Sequence, residues 1–115
     1  MVERRSEKRR FLLYYTRVFD THSHVQVGNL VDISSLGAML ITPSPIPIEV
    51  DFNLKLELSE EVADKPFMEI PAQSLWCHAD LDPNLYNSGF KFLDVSPENA
   101  AIIRQIVNRY GFRDN

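Results

Sequence analysis

Residues 50–58 constrain this chain more than any other stretch. Val50, Phe52, Leu54, Leu56 and Leu58 alternate with Asp51, Asn53, Lys55 and Glu57. A period of two puts every apolar side chain on one face of an extended strand and every polar one on the other. Such a strand needs hydrogen-bonding neighbours along its edges and a core beneath its greasy face, so other segments must supply further strands.

They do. Residues 11–19 are dense in aromatic and β-branched side chains, which suit a pleated, half-buried surface, and form the expected first strand. A polar break at Asp20-Thr21-His22-Ser23 leads to valines at 25, 27 and 31, the second strand. Residues 32–37 read as a Ser- and Gly-rich turn, and Ala38-Met39-Leu40-Ile41 opens the third strand. Pro43, Pro45 and Pro47 then exclude regular structure, because each removes a backbone donor and restricts the residue before it. Residues 50–58 are the fourth strand; 67–79 and 85–95 are the fifth and sixth, around a turn at 80–84. Pro71 marks a bulge or an edge in the fifth.

Ser96-Pro97-Glu98 combines an N-cap, a proline at the first helical position and an early acid, so a helix starts there. Ala100, Ile103, Ile106, Val107 and Tyr110 share its apolar face, and Gly111 is a natural terminator. The expected class is all-β with one terminal helix: six antiparallel strands in a sheet or barrel that the helix closes at one end.

The chain has 115 residues, enough for one core and too few for two. Its 44% apolar and 24% charged content is that of a soluble globular protein, not of a disordered one. No apolar run approaches the roughly 18 residues of a membrane span, and no signal segment follows the basic start, so a cytoplasmic location is expected. Cys77 is the only cysteine, which excludes an internal disulfide and a thiolate zinc cluster. His22, His24 and His78 lack well-spaced acidic partners, so no metal site is expected.

Charge is divided unevenly. Residues 1–10 carry five basic and two acidic side chains, a net of +3, and the other 105 carry seven basic and fourteen acidic, a net of −7. We therefore expect a flexible basic arm at 1–10 and a single barrel domain at 11–115. An acidic body repels DNA, while a short basic arm can still grip a small ligand bearing phosphate.

The arm holds Arg5-Ser6-Glu7-Lys8-Arg9, just ahead of the first strand, and the turn Asp32-Ile33-Ser34-Ser35-Leu36-Gly37 lies between the second and third. Arginine presents a planar fork that pairs with phosphate or with guanine O6 and N7, and its face stacks on purines. An ionised aspartate only accepts, so Asp32 suits the N–H groups of a guanine edge; Ser34 both donates and accepts. Gly37 permits a positive φ or a close approach to the backbone.

Together these segments resemble the two-part signature of PilZ domains, Arg-x-x-x-Arg followed by Asp/Asn-x-Ser-x-x-Gly. The likeness extends to the apolar run after Gly37, to Trp76, to Gly89-Phe90-Lys91-Phe92 and to the closing helix. It implies a six-stranded, split antiparallel β-barrel capped by the C-terminal helix. The implied ligand is cyclic di-GMP, held by Arg5, Arg9, Asp32, Ser34 and Gly37. Arg4, Arg10, Trp76, Gly89 and Lys91 are secondary ligand contacts. It also implies a receptor without a catalytic step or cofactor, which changes conformation on binding and acts on an effector protein in motility, exopolysaccharide or secretion control.

Blander readings stand beside these. A basic terminus is often a solvated tail, Asp-x-Ser with a following glycine is often a self-bonded turn, and a strand tryptophan such as Trp76 is more often core. Neither Ser34 nor Cys77 has a recognisable nucleophile's setting, so no catalytic residue is assigned. Two other functions compete: a nucleotide-independent adaptor of the same family, and an OB-like binder of single strands, which the acidic body disfavours.

Overall fold

The computed structural model describes residues 16–110. Six strands, β1 (Arg17–Asp20), β2 (Val25–Ile33), β3 (Gly37–Thr42), β4 (Asp51–Glu57), β5 (Phe67–Ala79) and β6 (Tyr86–Phe92), are followed by helix α1 (Pro97–Tyr110). The strands close into a barrel in the order β1-β2-β3-β6-β5-β4, with every pairing antiparallel. Closure leaves no unpaired edge among them, which chooses the barrel over the open sheet. Of the expected first strand only the last part is seen, since residues 11–15 lie outside the described residues, as does the whole arm at 1–10.

The alternation in β4 does what its pattern dictates. Leu54 and Leu56 are completely or almost completely buried beside Val18, Leu30, Leu40, Met68 and Ile70. Phe52 meets the edge of Phe90 inside the barrel, with ring centroids 5.5 Å apart and planes at 83°. On the outside, Arg17 of β1 lies beside Glu57 of β4 and donates from Nε to Oε1 at 3.0 Å.

The proline-rich connection is held by a buried hydroxyl. Ser74 Oγ donates to Pro47 O at 2.6 Å and accepts from Val50 N at 3.1 Å. Pro71 is neither on an edge nor at the bulge of β5. It faces Asn53 across the β4 pair, and its carbonyl accepts from Leu93 N at 2.9 Å, just beyond the end of the β6 ladder. Its missing N–H therefore falls where β5 has outrun its neighbour.

Helix α1 begins as expected, with Ser96 Oγ accepting from Asn99 N at 3.1 Å. Its buried face is rotated from the expected one: Asn99, Ile102, Ile103 and Ile106 are buried, while Ala100 and Val107 lie at the margin. Ile102 enters the core because the helix meets a barrel mouth, which accepts a broader apolar stripe than a flat sheet would. Asn99 is tolerated there because its Nδ2 donates to Glu69 O at 2.8 Å.

Candidate functional site

Two β-bulges shape the site. In β2 the register slips between Leu30 and Asp32, and in β5 between Ser74 and Trp76. Leu30 and Ser74 point inward and are fully buried. Strict alternation would send Asp32 and Trp76 inward too; one extra residue in each strand turns both outward. The expectation that Trp76 is core is corrected on this ground: it is half-buried on the outer surface.

Cross-strand register joins these two residues. Asp32 faces Met39, Met39 faces Gly89, and Gly89 faces Trp76, so four strands contribute one row to the barrel's outer surface. Three strand spacings make the row about 14 Å long. Gly89 leaves a gap that the indole fills: a Cβ there would stand 2.3 Å from Cε2 and Nε1 of Trp76. His78 stacks on the indole at 5.0 Å between ring centroids. Lys91, two residues beyond Gly89 on the same outward face, is exposed.

The turn between β2 and β3 is self-braced. Ser34 N donates to Gly37 O at 2.9 Å, Leu36 N to Ser34 Oγ at 3.1 Å and Ile33 N to Asp32 Oδ1 at 2.9 Å. These bonds use one acceptor of Ser34 and one oxygen of Asp32; among the described residues the serine O–H and the second carboxylate oxygen have no partner. Gly37 serves a close approach, though to β6: a Cβ would lie 2.1 Å from Phe90 O. The turn divides two concavities. One, of about 410 Å³, runs over the outer row and includes Leu36, Leu75 and Lys91. The other, of about 650 Å³, separates the turn from helix α1.

Arg4, Arg5, Arg9 and Arg10 lie outside the described residues. Arg17 faces Asn29, and Leu30 N donates to Thr16 O at 2.9 Å. Arg9 is seven residues and Arg5 eleven residues before Thr16, an extended reach of about 25 and 38 Å at most. Both lengths exceed that of the row.

Asp32, Ser34, Gly37, Trp76, Gly89 and Lys91 thus come together on one face of the barrel. Sequence reasoning missed Met39 and Leu75, and named Leu36 only as part of the turn. Leu36 and Leu75 stand 79% and 42% exposed, large apolar side chains turned to solvent beside the only described tryptophan, a patch that invites a planar partner. The signal available was the outward parity of Met39, opposite Gly89, once a bulge was allowed for.

The sequence matches the PilZ domain family over residues 3–109, almost the whole chain. The chain belongs to the PilZ domain family. Among solved structures, the PilZ domain of YcgR from Escherichia coli with c-di-GMP is similar at a TM-score of 0.63 and 15% identity, over 86% of this chain and 82% of that one. The inhibitor of motility MotI/DgrA of Bacillus subtilis gives 0.65 at 10% identity, over 87% and 48%. Apo MrkH of K. pneumonia gives 0.63 at 18%, over 85% and 46%. At these identities the likeness is one of fold, and this PilZ domain spans about half the length of the last two. No curated protein matches the sequence significantly. Among the described residues, no helix is long and apolar enough to cross a membrane.

Proposed function

We propose that this PilZ domain is a cytoplasmic receptor for cyclic di-GMP. The observation that carries the reading is the outer row, with a carboxylate at one end, an indole at the other and an apolar floor between. A guanine lying on Met39 and Gly89 beside Trp76 stacks on apolar surface. Its N–H edge then faces Asp32, and the Ser34 hydroxyl donates to a nearby acceptor.

The phosphates need cations that the body of the domain hardly supplies. Lys91 is one, and Arg5 and Arg9 of the arm are the forks that complete the clasp, with Arg4 and Arg10 as auxiliary contacts. No bond of the nucleotide is made or broken and no cofactor takes part. Ordering of the arm over the ligand changes the surface presented to an effector protein, in motility, exopolysaccharide or secretion control. The similar fold of a protein described as an inhibitor of motility supports that class of partner.

Calorimetric titration of the full chain with cyclic di-GMP tests the reading. Saturable binding is expected, weakened at least about tenfold by Arg9→Ala or Asp32→Ala, each of which removes a charge-assisted hydrogen bond. A well-folded wild type that binds nothing overturns it.

A further inference from the structure

The concavity between the Asp32 turn and helix α1 is the larger of the two that border the turn, at about 650 Å³. That volume lies within the usual range for small-molecule sites. Its wall on the turn side is Asp32, Ile33, Ser34 and Ser35, of which the first three also line the outer concavity. Its wall on the helix side includes Ala100, Arg104 and Asn108. These three are spaced by four residues, so they form one stripe along α1. Ala100 supplies room, Arg104 a guanidinium and Asn108 an amide that both donates and accepts.

The cations near this helix are not equivalent. Lys65 pairs with Glu98 at 3.0 Å, and Arg109 pairs with Glu61 at 3.4 Å. Both pairs tie α1 to the loop between β4 and β5. Arg104 is exposed and makes no ion pair or hydrogen bond among the described residues, and the one acid of its helix, Glu98, is taken by Lys65. A guanidinium left free beside a ligand-facing turn is positioned for an anion.

A cyclic dinucleotide has two purines and two phosphates. The outer row offers one carboxylate and, among the described residues lining it, one cation, Lys91. One half of the ligand is served there, and the described residues lining the row offer the other half no second cation.

We infer that Arg104, with Asn108 beside it, forms a second ligand-binding wall, and that a cyclic di-GMP phosphate or guanine edge on the helix side of the turn is its partner. This rests on the receptor reading above and extends it to a residue outside the two-part signature. It also gives bound ligand a direct grip on α1, whose opposite side is moored to the β4–β5 loop.

The test is calorimetric titration of the full chain with cyclic di-GMP at low and moderate salt, with Arg104→Ala, Arg104→Lys, Arg109→Ala and Arg9→Ala. Arg104→Ala is expected to weaken binding at least about tenfold. It should also lose less affinity on adding salt than wild type does, since one screened contact is gone. Arg104→Lys should recover part of the loss, keeping the charge without the fork. Arg109→Ala should stay within about twofold of wild type, because it breaks only an exposed pair. Urea midpoints should be unchanged for Arg104→Ala, so a folding defect is separable. Wild-type affinity in Arg104→Ala, with Arg9→Ala impaired, overturns the second wall and leaves the receptor reading standing. Absence of binding by wild type removes both.

Discussion

The indole of Trp76 lies so close over Gly89 that a methyl group on that glycine would stand 2.3 Å from two of its ring atoms. Trp76 faces outward, so its crowding can be relieved by swinging the ring toward solvent. Gly89→Ala is therefore expected to cost about 1–3 kcal/mol of stability, as modest overpacking does. It should also displace the wall of the outer row and weaken cyclic di-GMP binding by tenfold or so, given that a good polar or stacking contact is worth about 1.4 kcal/mol. Urea unfolding read beside calorimetry separates the two effects; unaltered affinity would show that the indole does not frame the ligand.

Gly37→Ala is predicted to act differently. The added Cβ would meet Phe90 O at 2.1 Å, and a backbone carbonyl cannot swing aside. The β3–β6 ladder must part locally, with a stability loss of about 3 kcal/mol or more. A urea midpoint lowered further than in Gly89→Ala supports this ordering. The reverse ordering contradicts it.

Trp76→Ala checks the outward placement. A buried tryptophan truncated to alanine costs about 3–5 kcal/mol, and Leu40→Ala in the barrel interior should cost about 2–5. Trp76 is half-buried over a glycine, so its truncation should cost less than that of Leu40. Equal or greater loss in denaturant titrations would place the ring in the core after all.

These contrasts show what the sequence made legible. The alternation of residues 50–58 and the signals at Ser96 and Pro97 located β4 and α1 almost to the residue, because periodicity and capping are local properties. The PilZ resemblance brought Asp32, Ser34 and Gly37 together with Trp76, Gly89 and Lys91, and the barrel does place them on one face. The core reading of Trp76 rested on what strand tryptophans usually do; Met68, Ile70, Ala72 and Ser74 all point inward, and the same parity would have carried position 76 inward had no bulge intervened. The bulge that breaks the count leaves no mark in composition: Val31 and Leu75 look like ordinary strand residues. The helix face was misjudged for a related reason. Whether Ile102 is buried depends on the shape of the barrel mouth, which no local pattern encodes.

Acid should weaken the closure between β1 and β4. The Arg17 guanidinium, through its hydrogen bond to Glu57 first and its charge second, holds the Glu57 carboxyl below the usual glutamate range and outweighs the opposing effect of partial burial. A carboxylate more acidic in the folded chain stabilises the fold above its unfolded pKa, and that contribution is lost as pH falls through the folded value. Glu57→Gln should therefore lower stability slightly and by a constant amount above the ordinary glutamate pKa, and flatten the acid limb below it, where the variant and wild type converge. Because both side chains are substantially exposed, the effect should be small and should shrink in salt. An unchanged acid limb in the variant, followed by thermal melts across pH, would contradict the assignment.

Removing the amide of Asn99 should loosen the helix. Its Nδ2 donates to Glu69 O from a buried position, and Asn99→Ala leaves that carbonyl without this partner. The expected loss is about 1–3 kcal/mol. Faster amide exchange across α1 than across β4 would locate it at the helix; uniform exchange would not.

The most direct measurement uses Trp76, the chain's sole tryptophan, as a reporter at one end of the row. If guanine lies between Asp32 and Trp76, titration with cyclic di-GMP will change the indole emission saturably, and Asp32→Ala and Arg9→Ala will shift that curve to much higher concentration. Calorimetrically detectable binding that leaves the emission untouched, or an emission change indifferent to both substitutions, would contradict the placement of the ligand on this face.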